Sequence, residues 1–358
     1  MRLGIVAYST NTGLGVQTYN LYKYLKPTKV MLVDLFKLNG METHHERFPG
    51  AQIVDGIPKN GDIDAFLVDL DVVFVCETPL NYYLFRRAKE LGVKTVLQYN
   101  FELLDYFEQP KLPVPDVFAA PTWWRYNDVP FENKTYLPVP IETKDVPYRV
   151  SDGVKTFLHI QGRPAVEDRN GVCIFAEAAR IIEEELPKRF QFIVRTQDRQ
   201  VGQNLAYNAP WLKVSASDLP DSADLYKDGD VLVMPRKYGG LCLPVNEALA
   251  RGMPVIMPDI EPNNRWLPDQ WLVPAEKKGS VHTRLSIDLY ECNARALANK
   301  MLELAAMQPR KDEDERPVIG QHFAAECKEA RALAMQYSWE GMKHTYETFL
   351  EDLCRNPS

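Results

Sequence analysis

The chain has 358 residues, of which 45% are hydrophobic and 25% charged, and its formal net charge is −7 at pH 7. This length exceeds what one hydrophobic core usually supports, so two domains are expected. The negative charge gives no general attraction to nucleic acid, and no run reaches the roughly 18 apolar residues of a membrane span, so stable membrane insertion is not expected. The six cysteines form no CxxC motif, which favours reduced thiols in a cytoplasmic protein.

Short apolar runs alternate with segments of helical period from the start of the chain. Strands are predicted for LGIVAYS, KVMLVDL, VVFVCET, KTVLQYN and DVFAAPT, and helices for GVQTYNLYKYLK and LNYYLFRRAKELG. Continuous apolar strands of this kind are typical of a parallel sheet covered by helices on both faces. The following stretch, YLPVPIETKDVPYRVSDGVK, is rich in proline and charge and predicts an interdomain linker.

The alternation then restarts. Strands are predicted for TFLHIQG, FQFIVRT, WLKVSAS, VLVMPR and PVIMPD, and the first helix for GVCIFAEAARIIEEEL. We therefore expect an α/β protein with two doubly wound, Rossmann-like domains facing across a cleft. The expected boundaries are 1–147 for the N-terminal domain, 148–330 for the C-terminal domain, and 331–358 for a final helix packed back on the N-terminal domain. The charged segment PRKDEDERP is expected to be a solvated loop.

Each predicted domain has a glycine-rich turn between a strand and a helix. The turns are TNTGLG in the first domain and KYGG, with Gly239 and Gly240, in the second. Ligands of open α/β sheets bind beyond the carboxyl ends of the strands, where glycine and a helix N-terminus admit an anion. Tight-turn geometry alone is the alternative for either turn. The first turn has Thr18 at the third glycine position of the dinucleotide fingerprint, which argues against a nicotinamide dehydrogenase.

Arginines accompany the second turn. Gly162 and Arg163 follow the first strand of the second domain, and Arg169 precedes its first helix. The guanidinium fork matches phosphate oxygens. Either arginine alone is typical of a protein surface, but together with the glycine turn they predict a diphosphate site.

The chain resembles the GT-B glycosyltransferases of the large retaining group that uses sugar nucleotides. The strongest match is GGLCLPVNEALARGMPVI, which resembles the family block E-G-F-G-L-P-x-x-E-A-x-A-x-G-x-P-V-I. The first loop NTGLG, the turn GRPAVEDRNG, the interdomain turn LPVPIET and the closing SWE follow the family order along nearly the whole chain. The resemblance implies a hexosyltransferase with a nucleotide-sugar donor and no further cofactor.

Several positions depart from the family pattern. The family block has two glutamates eight positions apart; Glu247 matches the second, which by resemblance holds the nucleotide ribose, whereas Gly239 stands at the first, which helps to hold the donor sugar. Cys242 replaces a glycine. Asn170 replaces a lysine, and Arg169 beside it is the replacement cation. Sugar identity, and activity itself, depend on what takes the role of the missing glutamate.

The acceptor side is expected in the first domain. Glu77, Tyr99, Asn100 and Glu102 follow first-domain strands, and Tyr99 and Asn100 stand where the family often has a histidine. These side chains either orient an acceptor hydroxyl or serve as capping and ion-pairing groups, and the sequence leaves both interpretations open.

Transfer leaves negative charge on the β-phosphate, which preorganised donors must stabilise. The catalytic residues assigned from the sequence are Arg163, Arg169 and Asn100. The donor-binding residues are Gly13, Leu14, Gly15, Gly162, Arg163, Arg169, Gly239, Gly240, Leu241, Cys242 and Glu247. The D-x-D at Asp69 to Asp71 lies at the amino-terminal end of its strand, away from the expected site, so a metal-independent reaction is predicted. Retention of configuration is implied by the resemblance to the retaining group.

The leading hypothesis is a cytoplasmic glycosyltransferase that uses a UDP-sugar. UDP-glucose is chosen only because it is a frequent donor. The hydroxyl acceptor is a small molecule, a cell-envelope precursor, a protein side chain or a modified DNA base, and the sequence does not indicate the oligomeric state. Two alternatives stay open: a degenerate, non-catalytic nucleotide-sugar-binding protein, favoured by Gly239, and a nucleotide-sugar epimerase of GT-B fold.

Overall fold

The computed structural model describes residues 1–162, 166–217, 219, 222–306 and 321–355. The chain divides into two compact units. The first comprises Met1–Pro140, Thr283–Leu285 and Tyr337–Ser358, and the second comprises Ile141–His282 and Ser286–Gln336. The charged segment PRKDEDERP lies outside the described residues.

Both units are built on parallel sheets. The strands of the first unit are β1 (Leu3–Tyr8), β2 (Lys29–Asp34), β3 (Gln52–Asp55), β4 (Val72–Glu77), β5 (Lys94–Tyr99), β6 (Val117–Ala120) and β7 (Lys134–Tyr136). Those of the second unit are β8 (Thr156–Gly162), β9 (Gln191–Thr196), β10 (Leu212–Ala216), β11 (Val231–Val233), β12 (Val255–Pro258), β13 (Leu272–Val273), β14 (Ala275–His282) and β15 (Ser286–Cys292).

Helices connect the strands. They are α1 (Gly13–Leu25), α2 (Phe36–Asn39), α3 (Asn60–Leu67), α4 (Tyr83–Glu90), α5 (Val172–Glu185), α6 (Arg199–Asn208), α7 (Leu243–Ala250), α8 (Ala294–Ala306), α9 (Gln321–Gln336) and α10 (Trp339–Arg355). The helices and strands that were predicted by name are confirmed. The hairpin of β14 and β15 was not predicted.

The strand order is the same doubly wound pattern in each unit. The first sheet runs β3-β2-β1-β4-β5-β6-β7 and the second β10-β9-β8-β11-β12-β13. Every pairing in these two sheets is parallel. The order reverses between β1 and β4 and again between β8 and β11, and such switch points are where open α/β sheets bind ligands. The predicted fold class, two doubly wound Rossmann-like α/β units, is confirmed.

The last helix packs into the core of the first unit. Its apolar residues recur at helical spacing, and Trp339, Tyr346 and Leu350 join the buried cluster that includes Leu3, Ile5 and Phe74. The ring of Trp339 stacks on Tyr24 with centroids 4.8 Å apart. This burial, more than helix propensity, holds α10 in place.

Candidate functional site

The loop between β8 and α5 connects the carboxyl end of a central strand to a helix. β8 ends at Gly162, whose φ is +61°. Arg163, predicted to bind the diphosphate, lies outside the described residues. Asn170 donates from Nδ2 to the carbonyl oxygen of Gln161 at 2.8 Å. This amide therefore anchors the loop to the strand end, a role that differs from that of the charged lysine in the family pattern.

The N-terminus of α5 is already capped by an anion from the chain itself. The carboxylate of Asp168 accepts from the N–H of Val172 at 3.0 Å and from that of Cys173 at 3.1 Å. A carboxylate at this end also compensates the helix dipole. The first amides of α5 are thus occupied by a carboxylate of the chain itself.

The loop that precedes α7, residues 236–243, is called the glycine loop below. It packs tightly against the start of α5: a Cβ on Gly171 would lie 2.1 Å from the carbonyl oxygen of Pro235, and the φ of Gly171 is +76°. The N–H of Lys237 donates to the carbonyl oxygen of Arg169 at 2.8 Å. These contacts bring Arg169 and the glycine loop together, as the sequence predicted, and explain why position 171 is glycine.

Gly239 is flanked by two guanidinium groups. A Cβ built on this residue would lie 2.5 Å from Nη2 of Arg169 and 2.6 Å from Nη2 of Arg236, and its φ is +112°. Arg169 also lies over the ring of Tyr238, 5.2 Å from its centroid. Arg236 is only 6% exposed and donates from Nη1 to the carbonyl oxygen of Leu241 at 2.7 Å. The space that a glutamate side chain would enter at position 239 is therefore taken by two cations. Sequence reasoning missed Arg236.

The backbone of the glycine loop offers free donors. Within the described residues, no acceptor is found for the N–H groups of residues 239–243. Residues 240–243 are partly exposed. Cys242 is the N-cap of α7, and its side chain makes no capping bond. Unsatisfied amides at a helix N-terminus, next to two guanidinium groups, are the arrangement that binds phosphate oxygens.

Glu247 lies one turn inside α7, as the sequence predicted. Its Oε2 accepts from the hydroxyl of Tyr226, and in the described part of the chain no donor is found for Oε1. Arg251 donates from Nη1 to the carbonyl oxygen of Glu247 at 2.9 Å and lies 4.5 Å from the centroid of the Tyr226 ring. Burial raises the pKa of the Glu247 carboxyl, while Tyr226 and the charge of Arg251 oppose that shift. One carboxylate oxygen is thus fixed and the other is left to accept from a ligand.

The hairpin of β14 and β15 supports the glycine loop from a second side. The N–H of Tyr290 donates to the carbonyl oxygen of Lys237 at 3.0 Å, and Nζ of Lys237 lies 2.6 Å from Oε1 of Glu291. The charge of Lys237 is therefore matched by a carboxylate, whereas no ion pair is found for its neighbour Arg236 among the described residues.

The glycine turn of the first unit has a packing explanation. A Cβ on Gly15 would lie 2.0 Å from the carbonyl oxygen of Thr10, and the N–H of Gly15 donates to the Thr12 hydroxyl at 3.4 Å. The Thr18 hydroxyl bonds to Tyr8 and Leu14, tying α1 to the end of β1. This turn, with Gly13 and Leu14 at the start of α1, therefore has tight-turn geometry, and its predicted role in donor binding stays a prediction.

The predicted acceptor-side residues lie together at the ends of β4 and β5. Glu77 and Tyr99 are register neighbours, and Asn100 donates from Nδ2 to Oε1 of Glu102 at 3.2 Å. Glu77 has a φ of +61°, which is uncommon for a residue with a side chain and often marks functional strain. Tyr99 is 2% exposed, and its hydroxyl has no hydrogen-bond partner in the described residues. Burial raises the pKa of this phenol.

The D-x-D motif lies at the opposite end of β4. Asp71 precedes the strand, and its carboxylate accepts from the backbone N–H of Arg2 and, at 2.9 Å, from Nη2 of the same residue. The described residues contain no group of three or more His, Cys, Asp or Glu side chains that could hold a metal ion. They also include no helix both long and apolar enough to cross a bilayer.

Part of the chain matches a protein family, and the fold is similar to those of solved structures. Residues 156–306 match the family model described as Glycosyl transferases group 1. No curated protein sequence matches the chain. Among solved structures, a glycosyltransferase from Rickettsia africae ESF-5 is similar with a TM-score of 0.69 and 11% identity, over 99% of both chains. Sucrose-phosphate synthase from Thermosynechococcus elongatus is similar with a TM-score of 0.64 and 13% identity, also over 99% of both chains.

A third structure, the pneumococcal O-GlcNAc transferase GtfA in complex with UDP and GlcNAc, is similar with a TM-score of 0.59 and 17% identity. The match covers 82% of this chain and spans 60% of the length of that transferase. The fold is GT-B. The segment matched by the family model contains the glycine loop and Glu247, and the family match together with these structures supports a glycosyltransferase.

Proposed function

We propose that the protein transfers a sugar from a nucleotide-diphosphate sugar to a hydroxyl acceptor. The donor that we propose is a UDP-sugar. The observation that carries this proposal is the set of free amides at the start of α7 beside Arg169, because this set matches the charge and hydrogen-bonding needs of a diphosphate. It lies in the segment matched by the glycosyltransferase family model. The similar transferase GtfA was solved with UDP, which supports uracil as the base of the donor.

In the proposed reaction the acceptor oxygen attacks the anomeric carbon while the carbon–oxygen bond to the β-phosphate breaks. The electron pair of that bond moves to the phosphate oxygen, which then takes the proton of the acceptor hydroxyl on the same face of the sugar, so that configuration is retained. Arg169, the amides of residues 240–243 and, from the sequence, Arg163 stabilise the developing charge without a metal ion. The fixed positions of Arg169 and of these amides reduce the reorganisation needed as that charge appears.

The two carboxylate oxygens of Glu247 have different roles in this proposal. Tyr226 fixes Oε2, and Oε1 accepts from a ribose hydroxyl of the nucleotide. A carboxylate that is already held in one orientation binds a ligand hydroxyl more tightly than a mobile carboxylate does, because less rotamer entropy is lost on binding.

The acceptor is proposed to bind at the ends of β4 and β5 in the first unit. Asn100, which is partly exposed and which Glu102 orients, can bond to an acceptor hydroxyl, whereas the hydroxyl of Tyr99 is buried at the same edge of the sheet. The positive φ of Glu77 places a carboxylate at the same edge of the sheet. The chemistry of this group suits a hydroxyl-bearing acceptor and does not select among a small molecule, an envelope precursor, a protein or a DNA base.

A thermal-shift panel of UDP-, GDP-, ADP- and dTDP-glucose tests the donor assignment. A ligand stabilises the folded protein more the further its concentration exceeds its Kd, by about 2.7 kcal/mol at 100 times the Kd. With all four donors at the same concentration, the one that binds most tightly therefore raises the melting temperature most. Slow hydrolysis of that donor without acceptor is the expected sign of transferase chemistry. Binding without any turnover, even with a broad acceptor set, would instead favour a non-catalytic binding protein, and an isomerised nucleotide sugar would identify an epimerase.

A further inference from the structure

A second polar group lies at the carboxyl edge of the first sheet, away from the ends of β4 and β5. It consists of Asp34, the last residue of β2, with Thr43 and His45 from the segment that follows α2. We infer that His45 binds a hydroxyl of the acceptor other than the hydroxyl that receives the sugar, and that the acceptor is therefore an oligosaccharide. This inference rests on the proposed transferase function and extends it to the class of acceptor.

Asp34 holds the imidazole of His45 in one orientation. Nε2 of His45 lies 2.7 Å from Oδ2 of Asp34. The same carboxylate accepts from the hydroxyl of Thr43 at 2.9 Å and from the N–H of Phe36 at 2.8 Å. Burial by itself would raise the pKa of the Asp34 carboxyl, but these hydrogen bonds outweigh it and hold the pKa below its ordinary value. Asp34 is therefore an anion, which only accepts hydrogen bonds, so Nε2 of the ring carries a hydrogen.

The other ring nitrogen of His45 is left for a ligand. Within the described residues no hydrogen-bond partner is found for Nδ1, and 39% of the side chain is exposed. A ligand hydroxyl can donate to Nδ1 of the neutral ring and can accept from Nδ1 of the charged ring, so it suits both forms. A carboxylate or phosphate, which only accepts, suits the charged form alone. The neighbouring His44 differs, because its Nε2 is buried.

Hydrogen bonds from its neighbours fix His45 beside the end of β1. The N–H of His44 donates to the carbonyl oxygen of Ser9 at 2.8 Å, and the hydroxyl of Ser9 donates to the carbonyl oxygen of His44. Nη2 of Arg47 donates to Oδ1 of Asn11 at 2.7 Å. Ser9 and Asn11 connect β1 to α1, next to the switch point between β1 and β4. His45 is thus held at the edge where open α/β sheets bind ligands.

The width of the sheet separates His45 from the proposed transfer point. The strands β2, β1, β4 and β5 are parallel and lie side by side in that order. Neighbouring strands are roughly 4.8 Å apart, so the end of β2 is about 14 Å from the end of β5, where Asn100 is proposed to bind the acceptor. This distance exceeds the span of one hexose ring. A ligand that reaches both places therefore carries hydroxyls on more than one sugar unit.

Binding of oligosaccharides of increasing length tests the inference. The probes are an array of immobilised oligosaccharides, from disaccharides to hexasaccharides, with the corresponding single sugars as references. The wild-type protein is expected to bind at least one oligosaccharide more tightly than its single sugar. His45→Ala should bind that oligosaccharide about three- to tenfold more weakly, the usual effect of losing one hydrogen bond, and should bind the single sugar and UDP like wild type. The matched control is His344→Ala in α10, because His344 is exposed and has no partner among the described residues; it should bind every probe like wild type.

NMR of the histidine ring gives a second measurement, which uses the wild-type protein and does not depend on the folding of a variant. Long-range proton–nitrogen spectra should show the hydrogen of His45 on Nε2. Addition of the bound oligosaccharide should shift the Nδ1 resonance more than the Nε2 resonance. A purely structural role of the Asp34–His45 pair would leave Nδ1 unchanged, and that result would contradict the inference.

The outcomes separate the inference from the proposed function. If no oligosaccharide binds, or if His45→Ala binds the oligosaccharide like wild type, the inference is wrong. An equal loss for the single sugar would also overturn it, because the site would then not lie beyond the first sugar. In each of these cases, binding and slow hydrolysis of a UDP-sugar would leave the proposed function standing. If the wild type binds an oligosaccharide through His45 but binds no sugar nucleotide, the hydroxyl site stands and the proposed function fails.

Discussion

Replacing Glu247 by alanine tests the ribose assignment at a residue whose surroundings are well defined. In the structure Tyr226 holds Oε2, and Oε1 has no donor among the described residues, so one charge-assisted hydrogen bond to the ligand is available. Such a bond contributes about 1.5–3 kcal/mol. Glu247→Ala is therefore expected to weaken UDP binding by about 2 kcal/mol, which is about 30-fold in Kd.

Isothermal calorimetry with UDP measures this loss directly, and two further variants separate its causes. Glu247→Gln keeps the shape and an acceptor oxygen but loses the charge, so a smaller loss is expected. Tyr226→Phe removes the donor to Oε2 and leaves Oε1 in place, so its effect on affinity should be smaller still. A folded Glu247→Ala protein with wild-type affinity for UDP would refute the assignment.

The remaining predictions concern stability, turnover and metal dependence. Because burial raises the pKa of Glu247 above its ordinary 4.5, the stability that this carboxyl contributes is present below pH 4.5 and lost as pH rises through the folded pKa. In urea unfolding, the free energy of unfolding of Glu247→Gln should therefore increase relative to that of wild type as the pH is raised. An equal pH dependence of the two proteins would contradict this. Gly171→Ala should destabilise by about 2–4 kcal/mol in the same assay, since its methyl would meet the Pro235 carbonyl at a positive φ; a loss below 1 kcal/mol, at the level of an ordinary surface change, would argue against the close packing. Arg163→Ala should lower kcat more than it weakens UDP binding, whereas equal losses would count against a transition-state role. Full turnover in EDTA is expected, and activity restored only by magnesium or manganese would overturn the metal-free scheme.

Much of the architecture could be predicted because parallel strands are buried on both faces. Runs such as β4 and β8 are continuous and apolar, so they are recognisable in the sequence without any partner. The hairpin of β14 and β15 was missed for the opposite reason. Residues of β14 are largely exposed, so they carry little hydrophobic pattern, and their pairing depends on register and not on burial.

The candidate site was only partly predictable. The position of Gly239 between a strand and a helix indicated close approach, and Glu247 was recognised from its match to the second glutamate of the resembled family block. The position of Arg236 beside Gly239 depends on the conformation of the glycine loop, which no spacing rule predicts. Likewise the amide of Asn170 bonds to a carbonyl oxygen, and the carboxylate of Asp168 occupies the N-terminus of α5. Both contacts join a side chain to the backbone, and Asn and Asp are so common in loops that the sequence alone does not indicate such roles.

The most direct test of the central claim is a crystal structure of the protein with bound UDP. The account predicts phosphate oxygens within hydrogen-bond distance of the N–H groups of residues 240–243 and of the Arg169 guanidinium. Phosphates bound elsewhere, or those amides satisfied by protein acceptors in the complex, would contradict it.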